Sequence, residues 1–325
     1  MMEKVSLLIP VYGVEKYIGK CACSLFEQTY GNIEFIFVDD CTKDQSMEVL
    51  QDTLDRYPLR KSQVKIVRHE KNRGLAAARN TALDQVSGMY LMHVDSDDYL
   101  EKNAVELLVG KAMATQADIV VCDSNTVYEH KVSRSFCKLL ASKEEYIKSM
   151  LVKSIPASIW GKLFSTRFYR SSGIRSVEGL NHGEDYVTVP RLIFGASRVV
   201  KLDAALYNYV QYNQGAYTKN ITRKSVDNIV WADKILTDFF TPFPEYREVL
   251  IRMKARSKLS LLKMGSIEIY DYVISAFPDT GKEYSSCVSL KDRVLLFLVG
   301  CRLYRIASLY AKGGLWLKNR KVINQ

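Results

Sequence analysis

The chain has 325 residues and a mass of 37.1 kDa, which is long enough for one sizeable α/β domain with a smaller region beside it. Its composition, 47% apolar and 25% charged, excludes disordered and disulfide-stapled classes. The seven cysteines form no CxxC pair, so neither a zinc site nor a disulfide framework is indicated and we expect reduced thiols. The formal net charge is +10. After Ser285 eight basic residues stand against one acid, so a partner of that region should be anionic.

The first 125 residues alternate short, apolar, β-rich runs with segments in which apolar residues recur every three or four positions. The first run, Val5–Val11, is too short for a signal peptide and is not followed by a cleavage site, so we interpret it as a strand and the protein as cytoplasmic. The alternation predicts an α/β fold, with a mostly parallel sheet flanked by helices. Predicted strands are Val5–Val11, Ile33–Val38, Val64–Val67, Met89–Val94 and Ile119–Cys122, and predicted helices are Glu15–Gln28, Asp44–Arg56, Leu75–Gln85 and Glu101–Ala114.

The second half of the chain has a different pattern. Helix-like stretches occur at Lys143–Lys153 and Asp185–Ile193, and strand character appears near Val199–Val210. After Tyr217 the sequence is almost entirely helix-like, with two proline-containing interruptions. We therefore expect residues 1–217 to form the α/β domain and residues 218–325 to form a helical C-terminal region.

Three carboxylates occur within four residues directly after the predicted strand Met89–Val94, at Asp95, Asp97 and Asp98. They repel one another, and burying them in part is costly unless a cation or hydrogen-bond donors compensate. Mg²⁺ or Mn²⁺ typically takes one or two protein carboxylates and keeps its other positions for water and phosphate oxygens. This fits a nucleotide-diphosphate site. Capping of the next helix explains one or two of the three acids, but not all of them.

A second acidic pair, Asp39 and Asp40, follows the predicted strand Ile33–Val38. Ligands of parallel sheets bind at the carboxyl ends of the strands, so both acidic clusters are expected at one edge. Helix capping explains this pair equally well when it is taken alone. Pro10 and Tyr12 end the first strand, where the Tyr12 ring either stacks on a base or belongs to the core.

Two further places carry candidate residues. Arg79 lies in the predicted helix that follows Gly74, where its guanidinium suits a phosphate or a carboxylate, although a single arginine is more often a surface residue. Glu184 and Asp185 begin another helix-like stretch. An acid there is a candidate general base for an attacking hydroxyl, and helix capping by Asp185 is the alternative.

Taken in chain order, these motifs resemble the inverting glycosyltransferases of family 2, which have the GT-A fold, of the type found in bacterial polysaccharide synthesis. Two departures stand out: Cys41-Thr42 occupies the place where the family commonly has Gly-Ser, and Gln211 to Thr218 matches only loosely the segment that closes over the donor phosphates. The resemblance covers about two thirds of the chain and is carried by Val5 to Tyr12, Asp39 to Ser46, Asn72 to Gly74, Ala78 to Asn80, Asp95 to Asp98, Trp160 to Phe164, Glu184-Asp185 and Leu206 to Tyr209.

The resemblance implies metal-dependent transfer of a hexosyl or N-acetylhexosaminyl group by a single in-line displacement. The donor would be a nucleotide-diphosphate sugar, first of all a UDP-sugar, the cofactor Mn²⁺ or Mg²⁺, and the acceptor a hydroxyl of a glycan or lipid-linked glycan in cell-surface polysaccharide synthesis. By position, the resemblance assigns Pro10, Tyr12, Asp39, Asp40, Arg79, Asp95 and Asp97 to the donor, Asp97 and Asp98 to the metal, Trp160 and Glu184 to the acceptor, and Asp185 to the catalytic base.

Other classes fit less well. A Rossmann dehydrogenase or a P-loop enzyme would need glycine motifs that the sequence lacks, and a sugar nucleotidyltransferase would need a glycine-rich loop after the first strand. A non-catalytic protein with a degenerate site is the remaining alternative, and the intact Asp97, Asp98 and Asp185 argue against it. Nucleic-acid binding is not expected, because the basic region matches no recognised module.

The basic C-terminal region is predicted as a helix from Lys291 to Lys312, with Arg302 and Arg305 on the side of these two lysines. Its uninterrupted apolar stretch, Val294–Val299, is far shorter than the roughly 20 residues that span a bilayer. The sequence leaves two interpretations open: the helix lies on an anionic membrane, or it packs on the catalytic domain with solvated lysines. The first would place the protein peripherally on the inner face of the cell membrane.

Overall fold

The structure, a computed structural model, describes residues 2–140, 142–180, 183–213, 223–264, 267–278 and 288–311. The chain divides into two compact units. The first comprises Met1–Ile147 and Pro156–Gly215, and the second comprises Lys148–Ile155 and Ala216–Gln325. The assignment of a catalytic domain to residues 1–217 stays a prediction.

The first unit is a sheet flanked by helices. Its strands are β1 (Val5–Val11), β2 (Ile33–Asp39), β3 (Val64–Arg68), β4 (Tyr90–His93), β5 (Tyr99–Leu100), β6 (Ile119–Val127), β7 (Val132–Ser135), β8 (Lys162–Ser165) and β9 (Val199–Val210). The helices are α1 (Ile18–Phe26), α2 (Ser46–Asp55), α3 (Leu75–Asp84), α4 (Ala104–Thr115), α6 (Thr166–Ser171) and α7 (Glu184–Gly195), with a 3₁₀ turn at Pro58–Gln63, while α5 (Lys143–Leu151) runs into the second unit.

Within the described residues, nine strands form one sheet in the order β3-β2-β1-β4-β8-β6-β9-β5, with β7 paired to β6. Strands β3, β2, β1 and β4 are parallel, whereas β8 is antiparallel to both of its neighbours. Val11 pairs with Asp39, and Asp39 pairs with Arg68, so three strands end at one edge. The last pair between β1 and β4 is Leu8 with His93, so the missing N–H of Pro10 costs this ladder nothing.

The predicted α/β architecture is confirmed. All seven residues of β1 are buried, as expected for a central strand covered on both faces. The five strands and four helices predicted in the first 125 residues are present with shifted ends; β6, for example, continues past Cys122 to Val127. The short elements β7, β8 and α6 were not predicted, because a few residues give too little periodicity.

The second unit is helical in its described parts. It contains α8 (Arg223–Phe240), α9 (Arg247–Met264), α10 (Tyr270–Ala276), α11 (Leu290–Gly300) and helical residues 304–311, with 3₁₀ turns at Pro244–Tyr246 and Ile267–Ile269. Among the described residues, no helix combines the length and the apolar character needed to cross a membrane. A separate apolar core is formed by side chains that include Val226, Leu259, Leu262, Tyr270, Val273, Leu295 and Val299.

The predicted continuous helix from Lys291 to Lys312 is wrong. Helix α11 ends at Gly300, and Arg302 adopts a φ of 58°. The N–H of Arg302 donates to the carbonyl of Val299 at 3.0 Å, and the N–H of Leu303 donates to the carbonyl of Leu298 at 2.9 Å. This is the hydrogen-bond pattern of a left-handed helix cap, which stops α11 before the next helical segment. Lys312 lies outside the described residues.

Candidate active site

The acidic turn after β4 is held in place by the last part of β9. Asp98 is buried, and its two carboxylate oxygens accept hydrogen bonds from the Tyr207 hydroxyl and from the N–H of Val210, each at 2.7 Å. The Tyr207 hydroxyl also accepts the N–H of Asp95 at 3.1 Å. Strand β9 therefore fixes the conformation of the turn, through the carboxylate of Asp98 and through the N–H of Asp95.

The carboxylates of this turn are only partly compensated by protein donors. Asn213 donates to Asp97 at 2.8 Å. The pKa of Asp97 is nevertheless raised, by burial and then by repulsion from Asp95. Burial, followed by repulsion from Asp95 and Asp97, raises the pKa of Asp98 well above its ordinary value.

These carboxylate oxygens fit a hard divalent cation, which would relieve the repulsion between them. No group of three or more His, Cys, Asp or Glu side chains in the described part of the chain is arranged to hold a metal. Magnesium often uses only one or two protein carboxylates, so the donor set suits an ion that is completed by substrate phosphates.

Arg79 of α3 joins this turn to the start of α7. Its side chain is only 2% exposed; Nη2 donates to Asp95 at 2.8 Å, and Nη1 donates to Glu184 at 2.9 Å and to Asp185. Burial alone would lower the pKa of Arg79, but the charges of Asp185, Asp95 and Glu184 outweigh it and raise that pKa. The sequence left a phosphate and a carboxylate open as partners for Arg79, and the described contacts are to carboxylates.

Asp185 occupies the first turn of α7 and is anchored from two sides. One carboxylate oxygen pairs with Arg79, and the other accepts the N–H of Ile159 at 2.9 Å. Burial raises the pKa of Asp185 to about 7, with Arg79 opposing this shift and Glu184 and Asp95 adding to it. The raised pKa makes Asp185 a stronger base than an exposed carboxylate.

Trp160 lies next in sequence to the residue that anchors Asp185. Its ring stacks on Tyr207, with centroids 4.6 Å apart and an interplanar angle of 11°, and on Tyr209 at 5.0 Å and 28°. The indole is partly buried, and these two tyrosines already cover part of its surface. The predicted contact of Trp160 with an acceptor stays a prediction.

The acidic pair at the end of β2 has a different environment from the turn after β4. Asp40 is buried and accepts three hydrogen bonds, from His69 Nδ1 at 2.7 Å and from the N–H groups of Arg73 and Gly74 at 2.8 Å each. Gly74 has a φ of 87°, which suits glycine, and it immediately precedes α3. Asp40 therefore fixes the turn that begins the helix carrying Arg79.

Asp39 is also engaged by the protein. Its carboxylate accepts the N–H of Thr42 at 2.8 Å and pairs with Arg68 at 2.7 Å. Cys41 stands where the family commonly has glycine, and it adopts a left-handed φ of 58°. The departure from the family pattern thus keeps a backbone conformation typical of glycine. The assignments of Asp39 and Asp40 to the nucleotide base stay predictions.

A cleft of about 420 Å³ opens beside the ends of β1 and β9. Pro10 is buried, whereas Tyr12, which follows β1, is half exposed. Tyr12 immediately precedes Gly13, one of the residues that line the cleft. Asn213 lines the cleft and also bonds to Asp97, so the cleft borders the acidic turn. Its other lining residues are Gly13, Glu15, Lys16, Tyr17, Asp44 and Tyr212.

Three residues of this region were not predicted from the sequence: His93, Asn213, and Tyr207 as the hydrogen-bond donor to Asp98. His93 ends β4 and is buried, and within the described residues neither ring nitrogen has a hydrogen-bond partner. Burial, and then the charge of Arg79, lower the pKa of His93 to about 3, so the ring is neutral. The alternation of Tyr207 and Tyr209 along β9 was a usable signal, because it places both rings on one face. No pattern marked His93 or Asn213.

The sequence comparisons agree with the motifs. Residues 6–177 match the profile of glycosyl transferase family 2, which is more than half of the chain. Glycosyltransferase GlyA of Streptococcus pneumoniae is 31% identical over 240 residues, which cover 70% of this chain and 33% of GlyA. The poly(ribitol-phosphate) beta-N-acetylglucosaminyltransferase TarS of Staphylococcus aureus is 26% identical over 218 residues, which cover 66% of this chain and 37% of TarS. The chain thus spans about a third of the length of these two relatives.

Solved structures share the fold. A crystal structure of S. aureus TarS residues 1–349 in complex with UDP-GlcNAc has a TM-score of 0.71 at 22% identity and covers 96% of this chain and 92% of that one. Mannosyltransferase PcManGT from Pyrobaculum calidifontis, in complex with GDP-Man and Mn²⁺, has a TM-score of 0.52 at 15% identity and covers 96% of this chain and 85% of that one. The chain belongs to glycosyl transferase family 2 and has the GT-A fold that its motifs predicted.

Proposed function

We propose that the chain transfers a hexosyl or N-acetylhexosaminyl group, with inversion, from a nucleotide-diphosphate sugar to a hydroxyl of a glycan or lipid-linked acceptor in cell-surface polysaccharide synthesis. The observation that carries this proposal is the Arg79 network, in which one buried cation bonds both to Asp95 of the strand-end cluster and to Asp185, the candidate base. Family membership supports glycosyl transfer. The UDP-GlcNAc bound to TarS favours a UDP-sugar as donor.

On the donor side, Asp97 is the best-suited metal ligand. A divalent cation, Mg²⁺ or Mn²⁺, would supply positive charge that neutralises the diphosphate leaving group. The raised pKa of Asp97 supports this role, since a nearby cation would offset its burial and its repulsion from Asp95. Asp98, the other predicted ligand, holds the turn through one hydrogen bond at each oxygen, and the second lone-pair position of each oxygen leaves it available to the same cation. The Mn²⁺ bound to PcManGT is consistent with such a cofactor.

On the acceptor side, Asp185 would remove the proton of the attacking hydroxyl. The hydroxyl oxygen forms a bond to the anomeric carbon, the bond from that carbon to the diphosphate oxygen breaks, and the hydroxyl proton passes to Asp185. Each carboxylate oxygen has two lone-pair positions, so the bonds from Arg79 and Ile159 leave room for a substrate hydroxyl. A pKa of about 7 suits a base that works near neutral pH.

The remaining assignments follow from position. We propose that the nucleotide base stacks on the half-exposed ring of Tyr12, next to buried Pro10 and the pair Asp39 and Asp40. Glu184, which shares Arg79 with Asp185, and Trp160 would shape the acceptor side. A non-catalytic binding protein and a sugar nucleotidyltransferase are not favoured, because the family match extends over more than half of the chain.

A donor panel tests the proposal. The full chain is mixed with Mn²⁺ and, in turn, with UDP-GlcNAc, UDP-glucose, UDP-galactose and GDP-mannose, and thermal stability and nucleotide release are followed. We expect one UDP-sugar to raise the melting temperature only with the divalent ion present. Asp97→Asn should abolish that shift, whereas Asp203→Asn, which changes an exposed carboxylate, should keep it. A panel without any shift or nucleotide release would contradict the proposal.

The role of Asp185 is tested by Asp185→Asn. We expect turnover to fall by about 100- to 10,000-fold, the usual contribution of a general base, while the donor-induced thermal shift remains. Asp203→Asn again serves as the control. Turnover within a few fold of the unchanged protein would remove Asp185 from the base role.

A further inference from the structure

The last helical segments of the second unit expose apolar side chains that form no part of its core. Phe297 is 68% exposed and Leu309 is 72% exposed. We call the exposed side of residues 288–311 the outer face. Its apolar members are Leu290, Val294, Phe297, Leu303, Ile306, Leu309 and Tyr310.

The outer face lies opposite a side that is already packed. Leu295 and Val299 of α11 are buried in the core of the second unit, as are Ala307 and Ala311 of the next segment. In contrast, Leu290, Val294 and Phe297 follow one another at four- and three-residue spacing, which places them on one stripe of α11. Helix α11 is thus apolar on two sides, and only the side that carries Leu295 and Val299 is buried in the core of this unit.

Exposed basic side chains alternate along the chain with the apolar members of the outer face. Lys291, Arg293, Arg302 and Arg305 are all exposed. The acid among residues 288–311, Asp292, is bonded to Lys263 and to the Ser289 hydroxyl. The outer face therefore combines apolar side chains with positive charge and presents no unbonded acid of its own. An anionic lipid surface matches both properties, because acyl chains accept apolar side chains and phosphate groups accept the basic ones.

We propose that the outer face docks on an anionic lipid bilayer, with Leu290, Phe297 and Leu309 entering the boundary between headgroups and acyl chains and the arginines contacting lipid phosphates. The break at Arg302 divides the outer face between two short helical segments where a single long helix was predicted. Docking of this kind is peripheral and reversible. It goes beyond the transfer reaction and would bring the enzyme to a lipid-linked acceptor.

Vesicle sedimentation with the full chain and no sugar substrate tests the proposal, so its outcome is separate from that of the transferase proposal. Phosphatidylcholine vesicles are compared with vesicles that also contain phosphatidylglycerol. We expect the protein to sediment with the anionic vesicles and to bind the neutral ones at least about tenfold more weakly, as expected for several basic residues near the surface. Added salt should weaken the binding.

Two variants separate the apolar and basic contributions. Phe297→Asp with Leu309→Asp, and separately Arg293→Glu with Arg305→Glu, should each lower binding to anionic vesicles by at least about tenfold. Phe136→Asp, at a 65% exposed phenylalanine of the first unit, and Lys131→Glu are matched controls that should bind like the unchanged protein. The changed side chains are exposed, so the urea midpoint should stay the same, and this is measured for each variant.

Failure to sediment with anionic vesicles would overturn the proposal. It would also be overturned if the Phe297→Asp, Leu309→Asp variant bound as well as the unchanged protein. Light scattering tests the main alternative, in which the outer face binds a second copy of the chain. A concentration-dependent dimer that this variant converts to a monomer, without any vesicle binding, would assign the outer face to contacts between copies of the chain.

Discussion

The ends of β2 and β4 carry similar acidic sequences but differ in how their charge is balanced. At the end of β2, Asp40 accepts three hydrogen bonds from protein donors, two of them backbone N–H groups. At the end of β4, burial and mutual repulsion raise the pKa values of Asp97 and Asp98. Protein donors thus compensate the carboxylate of Asp40, whereas the negative charges of the second cluster are only partly compensated.

This difference shows what an acidic strand end can do. Carboxylates that are saturated with fixed donors position the backbone, and here Asp40 positions the start of α3. Carboxylates that repel one another at a partly open turn can bind a cation or an Arg fork. Arg79 compensates part of this negative charge by bonding to Asp95, and it also bonds to Asp185.

The comparison is tested most strongly by removing, for each of the two acidic clusters, the arginine that bonds to it. Arg79 is 2% exposed and bonds three carboxylates, whereas Arg68 is 69% exposed and bonds Asp39. We expect Arg79→Met to lower the free energy of unfolding by about 3–5 kcal/mol, the cost of leaving a buried charge unpaired. Arg68→Met should cost about 0–1 kcal/mol, as for a surface ion pair. Urea denaturation measures both, and equal losses would break the comparison.

A second test replaces one aspartate at each end. Asp40→Asn leaves at least one buried donor without an acceptor, so we expect the free energy of unfolding to fall by about 1–3 kcal/mol. Asp97→Asn removes a repelling charge, so stability should be unchanged or slightly higher while the divalent-dependent donor shift is lost. If Asp97→Asn proved as destabilising as Asp40→Asn, the β4 cluster would be a structural element of the same kind.

The smallest expected effect is in the pH profile. The pKa of Asp185 is raised to about 7, and only its ionised form accepts a proton. Turnover should therefore fall about tenfold for each pH unit below 7, and level off above it. Because Glu184 helps to raise this pKa, Glu184→Gln should move the acidic limb to lower pH. An acidic limb that does not move would separate Asp185 from the profile.

Much of the sheet unit could be predicted because its signals are local. Alternating apolar runs and helical spacing identified the strands and helices of the first 125 residues, and the parallel topology then placed Asp39 and Asp95 at one edge. The continuous C-terminal helix was wrong for a local reason as well. Gly300 is a signal for a helix end, but the left-handed residue itself is Arg302, a residue type that rarely adopts this conformation.

The sequence by itself determined the α/β fold, the family and the acidic residues at the strand ends, because each of these depends on residue type and spacing along the chain. Only the tertiary structure decided which carboxylates are fully hydrogen-bonded to protein donors and which keep a partly uncompensated negative charge. That distinction depends on donors that are distant in sequence, such as Tyr207 for Asp98 and Arg79 for Asp185. Burial then converts these contacts into shifted pKa values, and no pattern of residues along the chain encodes burial directly.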